Sequence, residues 1–311
     1  MLETSRKRFG SNIAVIYEER RYSYEDLDNA VNAMANHFLA AGIAKGEKIV
    51  LMLPNCPEFI ISYFAAVKIG AVAVTLNIMS TSRELVDLLR DCDAKCFITE
   101  KILAAKFIAV QDQLPLKPVL ITIEGKEEGC PFWSIIAQGN TGLARKETAP
   151  DDPAVIIYTA GLTGVPLGAT LTHKNLLNQS ILVRDLYHTT ENDRSLAVIP
   201  FFHSFGASVN MLSAIQVGAG MVLLDRFSAE SIFKSIDQDK ITYIAAVPRL
   251  FLGMIMEENT SHYDLSSLQF CITGGSAMPP DYIAQFEEKF HAILREGYGL
   301  TEASPVCICH R

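Results

Sequence analysis

Four short segments of the chain carry residue types that could do chemistry on a phosphorylated ligand. They are Tyr158–His173 (YTAGLTGVPLGATLTH), Pro200–Gly206 (PFFHSFG), Gly274–Pro279 (GGSAMP) and Gly297–Glu302 (GYGLTE). Glycines leave backbone N–H groups open to an anion, and a carboxylate can hold a divalent cation together with phosphate oxygens. These segments are therefore the first candidates for a binding or catalytic site.

The first segment is a glycine-rich loop that contains neither lysine nor arginine. It is not a Walker A motif, because no Lys-Ser or Lys-Thr pair follows Gly168. Its backbone N–H groups and the hydroxyls of Thr159 and Thr163 could still form an anion nest. A surface turn is the alternative interpretation. An apolar run precedes the loop, so the segment is expected to follow the order strand, loop and helix.

The segment Gly297–Glu302 brings an aromatic ring, a hydroxyl and a carboxylate close together in the chain. Tyr298 could stack on a base, and Thr301 could donate to a phosphate oxygen. Glu302 could hold Mg²⁺, which prefers one or two carboxylates together with substrate phosphates. The start of an ordinary helix is the alternative interpretation of the same residues.

Two other sets of residues are weaker candidates. His203 lies between aromatic residues after an apolar run, where a lone histidine is more often structural. The run Cys307-Ile-Cys309-His310 resembles half of a metal site, but no second pair of ligands stands near it in the sequence. A structural role is therefore favoured for the cysteine run.

The strands and helices that position these segments are visible in the sequence as apolar runs that alternate with helical patterns. The predicted strands are Lys48–Leu53, Ala71–Leu76, Lys95–Thr99, Pro118–Ile123, Ala154–Tyr158, Ser195–Pro200, Met221–Leu224, Thr242–Val247 and Gln269–Thr273. Continuous apolar strands between helices predict an α/β fold with two parallel-rich sheets covered by helices. Ligands of such sheets bind beyond the carboxyl ends of the strands. We therefore expect the four segments to converge on one crevice, with a first domain over 1–152 and a second over 153–311.

Composition excludes several functional classes. The 311 residues have a formal net charge of −8, which argues against nucleic acid as a partner. Seven cysteines form an odd set in a large chain, so most are expected to be buried, reduced thiols. No apolar run approaches the length of a transmembrane helix, and the first residues contain no signal-peptide core. A cytoplasmic location is the expectation, and a homodimer is left open.

Taken together and in this order, the four segments resemble the adenylate-forming superfamily, specifically fatty-acyl-CoA ligases. The signature loop of that family usually reads Tyr-Thr-Ser-Gly-Thr-Thr-Gly-x-Pro-Lys-Gly, and Tyr158–Gly168 follows it with departures. GYGLTE matches the Tyr-Gly-x-Thr-Glu of the family, and the other two segments resemble its Pro-x-Phe-His and Gly-Gly-Ala-Pro stretches. The resemblance implies two steps. A fatty acid or other carboxylate attacks the α-phosphate of ATP to give acyl-adenylate and pyrophosphate, and coenzyme A then displaces AMP to give the thioester.

The resemblance also implies roles for individual residues. Catalytic roles fall on His203, Thr301 and Glu302, with Glu302 as the ligand of Mg²⁺. The residues implied to bind the nucleotide are Thr159, Gly161, Thr163, Gly164, Gly168, Gly275, Ser276, Ala277, Tyr298 and Gly299. The residues implied to line the acyl tunnel, which His203 borders, are Phe202, Phe205, Val209 and Val247.

The sequence departs from the pattern of the family in its loop and at its end. Ala160 and Leu162 replace hydroxyl residues, and Leu167 replaces the loop lysine. Each lost hydrogen bond to a charged group is worth about 1.5–3 kcal/mol, so weaker ATP binding is expected. The chain ends nine residues after Glu302, whereas the family continues into a C-terminal lid domain. We therefore expect an N-terminal part of a longer ligase that turns over poorly alone.

Two alternatives remain beside a medium- or long-chain fatty-acid ligase. The first is an aryl- or amino-acid-activating domain. The absence of aspartate from Val198–Met211 disfavours amino acids, because an ammonium group needs a carboxylate partner. The second is a non-catalytic protein that binds nucleotide or acyl groups, in which the loop leucines mark lost chemistry.

Overall fold

The computed structural model describes residues 1–123, 130–142, 146–160, 166–224 and 227–309. The chain divides into two compact units, one formed by Met1–Glu25 with Leu176–Arg311 and the other by Asp26–Asn175. Each unit is built on a largely parallel sheet with helices between its strands. This architecture confirms the predicted α/β fold with two parallel-rich sheets.

The helices and strands of the described residues have the following bounds. The α-helices are α1 (Leu2–Phe9), α2 (Tyr24–Ala40), α3 (Pro57–Lys68), α4 (Ser82–Asp91), α5 (Lys101–Ile108), α6 (Phe132–Gln138), α7 (His173–Tyr187), α8 (Ser213–Val217), α9 (Ala229–Asp239), α10 (Pro248–Met256) and α11 (Pro280–Phe290). The strands are β1 (Ile13–Tyr17), β2 (Arg20–Ser23), β3 (Lys48–Met52), β4 (Val72–Thr75), β5 (Ala94–Thr99), β6 (Val119–Thr122), β7 (Cys130–Pro131), β8 (Pro153–Thr159), β9 (Leu167–Thr172), β10 (Arg194–Ala197), β11 (Gly220–Leu223), β12 (Tyr243–Ala246), β13 (Phe270–Thr273), β14 (Ile293–Gly299) and β15 (Val306–Cys309).

The unit Asp26–Asn175 has the strand order β7-β6-β5-β3-β4-β8-β9, in which only the pair β8 and β9 is antiparallel among the described strands. Its core lies under β3 and β5, where the rings of Phe97 and Phe107 stack with centroids 4.8 Å apart. Helix α4 starts with a capping box, in which the Thr81 hydroxyl accepts from the Glu84 N–H and the Glu84 carboxylate accepts from the Thr81 N–H.

The unit that contains both ends of the chain has the strand order β15-β14-β13-β12-β10-β11-β1-β2. The central strands run parallel, and the pairs β1/β2 and β14/β15 at the two edges are antiparallel. A core of aromatic side chains from α9, α10 and α11 packs beside these strands: Phe233, Phe251, Phe286 and Phe290. The carboxyl ends of β10, β12, β13 and β14 lie side by side in this sheet, which matters for the site below.

The compact units differ from the expected division at residue 152. Strand β8 pairs with β4, so residues 153–175 stay with the preceding sheet. Strand β1 pairs with β11 through Val15 and Met221, so the first 25 residues join the later part of the chain. Backbone pairing between strands far apart in sequence sets the division.

The expected order strand, loop and helix at the glycine segment is wrong. Residues Leu167–Thr172 form strand β9, which returns antiparallel along β8, and α7 begins only at His173. Leu171 is 3% exposed and pairs with Val155, so this strand carries a buried apolar side chain that a loop would leave in water. The described residues on either side of the segment are therefore paired as antiparallel strands.

The cysteines largely follow their predicted burial. Cys56, Cys92, Cys96 and Cys271 are buried thiols, whereas Cys307 is exposed and Cys309 is partly exposed. Within the described parts of the chain, no helix has the length and apolar character needed to cross a membrane.

Candidate functional site

A cavity of about 260 Å³ lies at the carboxyl ends of β10, β12, β13 and β14, within the unit that contains both chain ends. Predicted site residues that line it are His203, Phe205, Val247, Gly275, Tyr298, Gly299 and Thr301. Other residues that line it are Tyr187, Ile199, Ser204, Ile272, Gly274, Gly297, Leu300, Pro305 and Val306. Three of the four segments singled out in the sequence thus meet around one cavity, at the sheet edge where ligands of parallel sheets bind.

Glycines after β13 and at the end of β14 allow backbone segments to pack closely together at the wall of the cavity. Gly275 has a φ of +85°, a conformation that residues with a Cβ rarely adopt. A Cβ on Gly274 would lie 3.2 Å from the Gly297 carbonyl oxygen, and a Cβ on Gly299 would overlap the Pro305 carbonyl group. The glycines of these two motifs are therefore needed for close approach of backbone segments at the cavity.

A hydroxyl pair joins two of the motifs on the cavity wall. The Ser204 Oγ and the Thr301 Oγ1 lie 3.1 Å apart, within hydrogen-bond distance. Ser204 is buried, and Thr301 begins a short 3-10 helix over Thr301–Ala303. A second hydroxyl, the Ser208 Oγ, donates to the Ser304 carbonyl at 3.0 Å. These contacts hold the segment after β14 against the segment after β10.

His203 stands at the mouth of the cavity, before a π-helical turn. Its backbone N–H donates to the Pro200 carbonyl at 3.0 Å, and the buried π-helical segment Gly206–Leu212 follows. Gly206 is required there, because a Cβ would overlap the Pro200 carbonyl oxygen. The side chain of His203 reaches solvent, but partial desolvation by its neighbours lowers the pKa of the imidazole. The imidazole is therefore neutral near pH 7.

The residues predicted to hold the adenine and the metal lie on the rim. Tyr298 is 61% exposed, so one face of its ring is open to a planar partner. Ser276 and Ala277 are exposed beyond Gly275 but are not part of the cavity wall. Glu302 is exposed next to Thr301. No cluster of three or more histidine, cysteine or acidic side chains that could hold a metal occurs within the described residues.

The four residues predicted to line an acyl tunnel divide into two pairs. Phe205 and Val247 line the cavity. Phe202 and Val209 do not: Phe202 is buried with its ring 4.7 Å from that of His203, and Val209 is buried in an apolar cluster with Tyr187 and Ile272. The two buried side chains support the wall from behind.

Several lining residues have no local signal in the sequence. Tyr187 ends helix α7, more than a hundred residues before the motif around Tyr298, and only the fold brings the two together. Pro305 and Val306 follow directly after the GYGLTE motif and could have been found by extending that motif by a few residues.

The glycine loop belongs to the other unit. Gly161, Thr163 and Gly164, with Leu162 between them, lie outside the described residues. Thr159 ends β8, and its hydroxyl donates to the Leu167 carbonyl at 3.4 Å. Gly168 pairs with Tyr158 across the hairpin. Leu167, at the position of the family lysine, is 63% exposed.

Comparison with known proteins identifies the family. The family described as AMP-binding enzyme matches residues 2–311. A long-chain-fatty-acid–CoA ligase of Bacillus subtilis is 32% identical and is covered over 60% of its length by 98% of this chain. 4-Coumarate–CoA ligase 4 of Arabidopsis thaliana is 29% identical, with 92% of this chain and 52% of the relative covered.

A solved structure extends this likeness to the fold. An anthranilate CoA ligase in complex with anthranoyl-AMP superposes with a TM-score of 0.94 at 25% identity, covering 100% of this chain and 60% of that one. The chain thus spans about half to 60% of the length of the relatives that it matches. The match over residues 2–311 and the shared fold show that the chain belongs to the family of AMP-binding, adenylate-forming enzymes and corresponds to their N-terminal large domain.

Proposed function

We propose that this chain is the large domain of an ATP-dependent acid–CoA ligase, which converts a carboxylic acid to an acyl-adenylate and then to a coenzyme A thioester. The observation that carries the proposal is the single cavity around which His203, Gly275 and Tyr298–Thr301 meet. The relatives of this chain are named as CoA ligases of fatty and aromatic acids, which supports the same reaction class.

The nucleotide is proposed to bind at the rim of the cavity. The exposed ring of Tyr298 offers a stacking face for adenine, with Gly275, Ser276, Ala277 and Gly299 beside it. The Thr301 hydroxyl, positioned by Ser204, donates to an α-phosphate oxygen. Fixed donors at this place reduce the repulsion between an anionic carboxylate and an anionic phosphate as the two approach.

The donor set of the site fits a Mg²⁺ ion that is held mainly by substrate. Glu302 supplies one carboxylate beside Thr301, and the described residues contain no larger acidic cluster. Mg²⁺ keeps several waters and commonly takes one or two carboxylates plus phosphate oxygens, so one glutamate is sufficient. When bound, the ion neutralises phosphate charge.

The phosphates beyond the α-position are proposed to bind the glycine loop through Thr159, Gly161, Thr163, Gly164 and Gly168. An exposed leucine at position 167 offers no charge to the phosphates, so this loop relies on backbone N–H groups and hydroxyls. We therefore expect the affinities for ATP and AMP to be similar. A loop with a lysine would make the difference between them larger.

His203 is proposed to face the carboxylate of the acid. The lowered pKa keeps its imidazole neutral near pH 7, so it can donate one N–H to a substrate oxygen without pairing permanently with the carboxylate. The apolar lining from Phe205, Val247 and Ile272 suits a hydrocarbon or aromatic tail. A fatty acid is the leading substrate and an aryl acid the second. Coenzyme A is the expected acceptor.

The experiment that tests the proposal is calorimetric titration of the 311-residue chain with AMP and with a butanoyl-sulfamoyl adenosine, which mimics an acyl-adenylate. Tyr298→Ala should weaken both ligands, because base stacking on an aromatic ring is worth about 1–3 kcal/mol. Ile293→Ala, at the exposed start of the same strand, is the matched control and should leave both affinities unchanged. Equal affinities in wild type and Tyr298→Ala would refute the nucleotide site.

Exchange of labelled pyrophosphate into ATP, measured with the acid present, separates the ligase from a non-catalytic binding protein. Exchange that depends on the acid supports the ligase. Binding of the adenylate analogue without any exchange, in a chain joined to the remainder of a related ligase, would favour the binding protein.

A further inference from the structure

The residues that line the cavity divide by exposure into a mouth and a closed inner end. Tyr298, Leu300 and Val247 are 61%, 43% and 43% exposed and form the mouth. Tyr187 and Ile272 are 7% and 2% exposed and belong to the buried part of the lining, where both pack in one apolar cluster with Val209, and we take this part as the inner end. A ligand with its nucleotide at Tyr298 therefore directs its tail toward Tyr187.

Tyr187 is held in place by a sulfur contact and by ring stacking. Its hydroxyl lies 2.7 Å from the Cys309 Sγ on strand β15. Its ring is parallel to that of Phe270, with centroids 5.6 Å apart and planes 7° apart. Phe270 in turn stacks on Tyr243, with centroids 5.0 Å apart and planes 4° apart. The tyrosine thus ends a column of three rings.

Arg295 fixes the backbone next to this ring. Its Nη1 donates to the Leu186 carbonyl at 3.2 Å, at the end of α7, and its guanidinium carbon lies 6.0 Å from the centre of the Tyr187 ring. The side chain of Tyr187 cannot rotate away without breaking the sulfur contact and the ring stack together. Such a residue forms a rigid wall rather than a mobile gate.

The room in front of this wall is small. A cavity of about 260 Å³ lies just below the range of roughly 300–1,000 Å³ that pockets for drug-sized ligands occupy. Part of that space lies at the mouth, where the nucleotide is proposed to bind. A volume of this size favours a short tail over a long one.

We propose that Tyr187, backed by Cys309 and Phe270, closes the acyl end of the site and limits this chain to short acyl tails or single-ring aryl acids. This inference rests on the proposed function and narrows its substrate class. The residue that sets the upper limit on tail length, Tyr187, lies outside the four segments singled out in the sequence.

The test uses a series of sulfamoyl adenosines that carry acetyl, butanoyl, hexanoyl, octanoyl and dodecanoyl groups, titrated into the wild-type chain and into variants. In wild type, each added methylene should raise affinity by about fourfold while it is buried. The rise should stop at or before octanoyl, and dodecanoyl should bind more weakly than hexanoyl. Tyr187→Ala and Tyr187→Leu should raise the ratio of dodecanoyl to butanoyl affinity at least tenfold.

Two controls separate an opened wall from damaged packing. Tyr187→Phe keeps the ring and removes the hydroxyl, so the length limit should not move. Phe290→Leu weakens aromatic packing elsewhere in the same unit and changes no residue that lines the cavity or stacks in the ring column, so it should lower the unfolding temperature and leave the length limit in place. Butanoyl binding to each variant, with its unfolding temperature, shows that the variant is folded.

The outcomes distinguish the inference from the function on which it rests. The assignment of Tyr187 is overturned if the wild-type chain binds the dodecanoyl analogue as tightly as the hexanoyl analogue. It is also overturned if Tyr187→Ala and Tyr187→Leu both keep the length limit while they still bind the butanoyl analogue. Neither result contradicts the ligase site. Failure of wild type to bind AMP and every analogue overturns both.

Discussion

The hydroxyl oxygens of Ser204 and Thr301 lie 3.1 Å apart although 97 residues separate them in the chain. Ser204 follows strand β10, and Thr301 follows strand β14. Strands β12 and β13 lie between these two in the sheet, so the contact spans the carboxyl edge on which the cavity opens. The pair couples the two motifs that we assign to the carboxylate and to the α-phosphate.

The first prediction concerns that hydroxyl pair. Thr301→Val keeps the shape of the side chain and removes its donor, so AMP affinity should fall by about 1.5–3 kcal/mol, the value of a hydrogen bond to a charged group. Ser204→Ala should weaken AMP only a few-fold, because its hydroxyl positions Thr301 and is not assigned to the ligand. Titration calorimetry of both variants measures this. A larger loss in Ser204→Ala than in Thr301→Val would reverse the two roles.

The second prediction concerns the backbone at Gly275. Gly275→Ala should lower the free energy of unfolding by about 1–2 kcal/mol, since a φ of +85° strains any residue with a Cβ. Gly253→Ala is the matched control, because Gly253 lies in α10 and no neighbouring atom comes within 4 Å of the place that an added methyl group would take. That change should stabilise the chain by up to about 1 kcal/mol. Urea unfolding measures both, and a neutral Gly275→Ala would contradict the strain.

The third prediction concerns a buried ion pair in the unit Asp26–Asn175. The Lys68 Nζ lies 2.9 Å from the Asp28 Oδ1, and the two side chains are 9% and 2% exposed. Lys68→Met should lower the free energy of unfolding by about 3–5 kcal/mol, because it leaves a buried carboxylate without that cation. The double variant Asp28→Asn/Lys68→Met should recover most of the loss. Chemical denaturation of the two variants tests this, and equal losses would count against a coupled pair.

The fourth prediction concerns pH. Burial lowers the pKa of His173 and of His203, so the folded state binds fewer protons than the unfolded state near the ordinary histidine pKa of about 6.5. The neutral histidines therefore make their full contribution to stability above about pH 6.5. That contribution is lost as the pH falls below about 6.5 and the histidines become protonated. The urea midpoint should therefore fall from pH 7.5 to pH 5.5. In His173→Gln the fall should be smaller, and an unchanged slope would mean that other groups control it.

Local sequence patterns were sufficient for elements with strong start signals. Helices α3 and α11 begin with Pro57 and Pro280, a residue type favoured in the first turn, and α4 follows the Thr81 capping box. Pairing between distant strands leaves no such signal. Strand β1 at Ile13–Tyr17 forms a local hairpin with β2, but its place in the sheet depends on β11, two hundred residues later, and it was missed. Strand β9 was missed because its glycine suggested a loop.

The site was predicted to the extent that its residues stand in compact motifs. Tyr298, Thr301, His203 and Gly275 share one cavity as expected. Tyr187 could not be found in this way, because its place on the wall depends on where α7 ends against β13 and β15. Val209 lies behind the wall because the backbone from Gly206 to Leu212 is π-helical, which shifts side chains away from the faces of an ordinary α-helix.

The pairing of β1 with β11 also orders events during synthesis. Val15 leaves the ribosome long before its partner Met221, and at about 5–20 residues per second the interval is of the order of 10–40 seconds. The unit Asp26–Asn175 is complete within that interval and is free to fold first. The hairpin of β1 and β2 meanwhile has no parallel partner, so the edge of β1 that later pairs with β11 stays open until Met221 has been made.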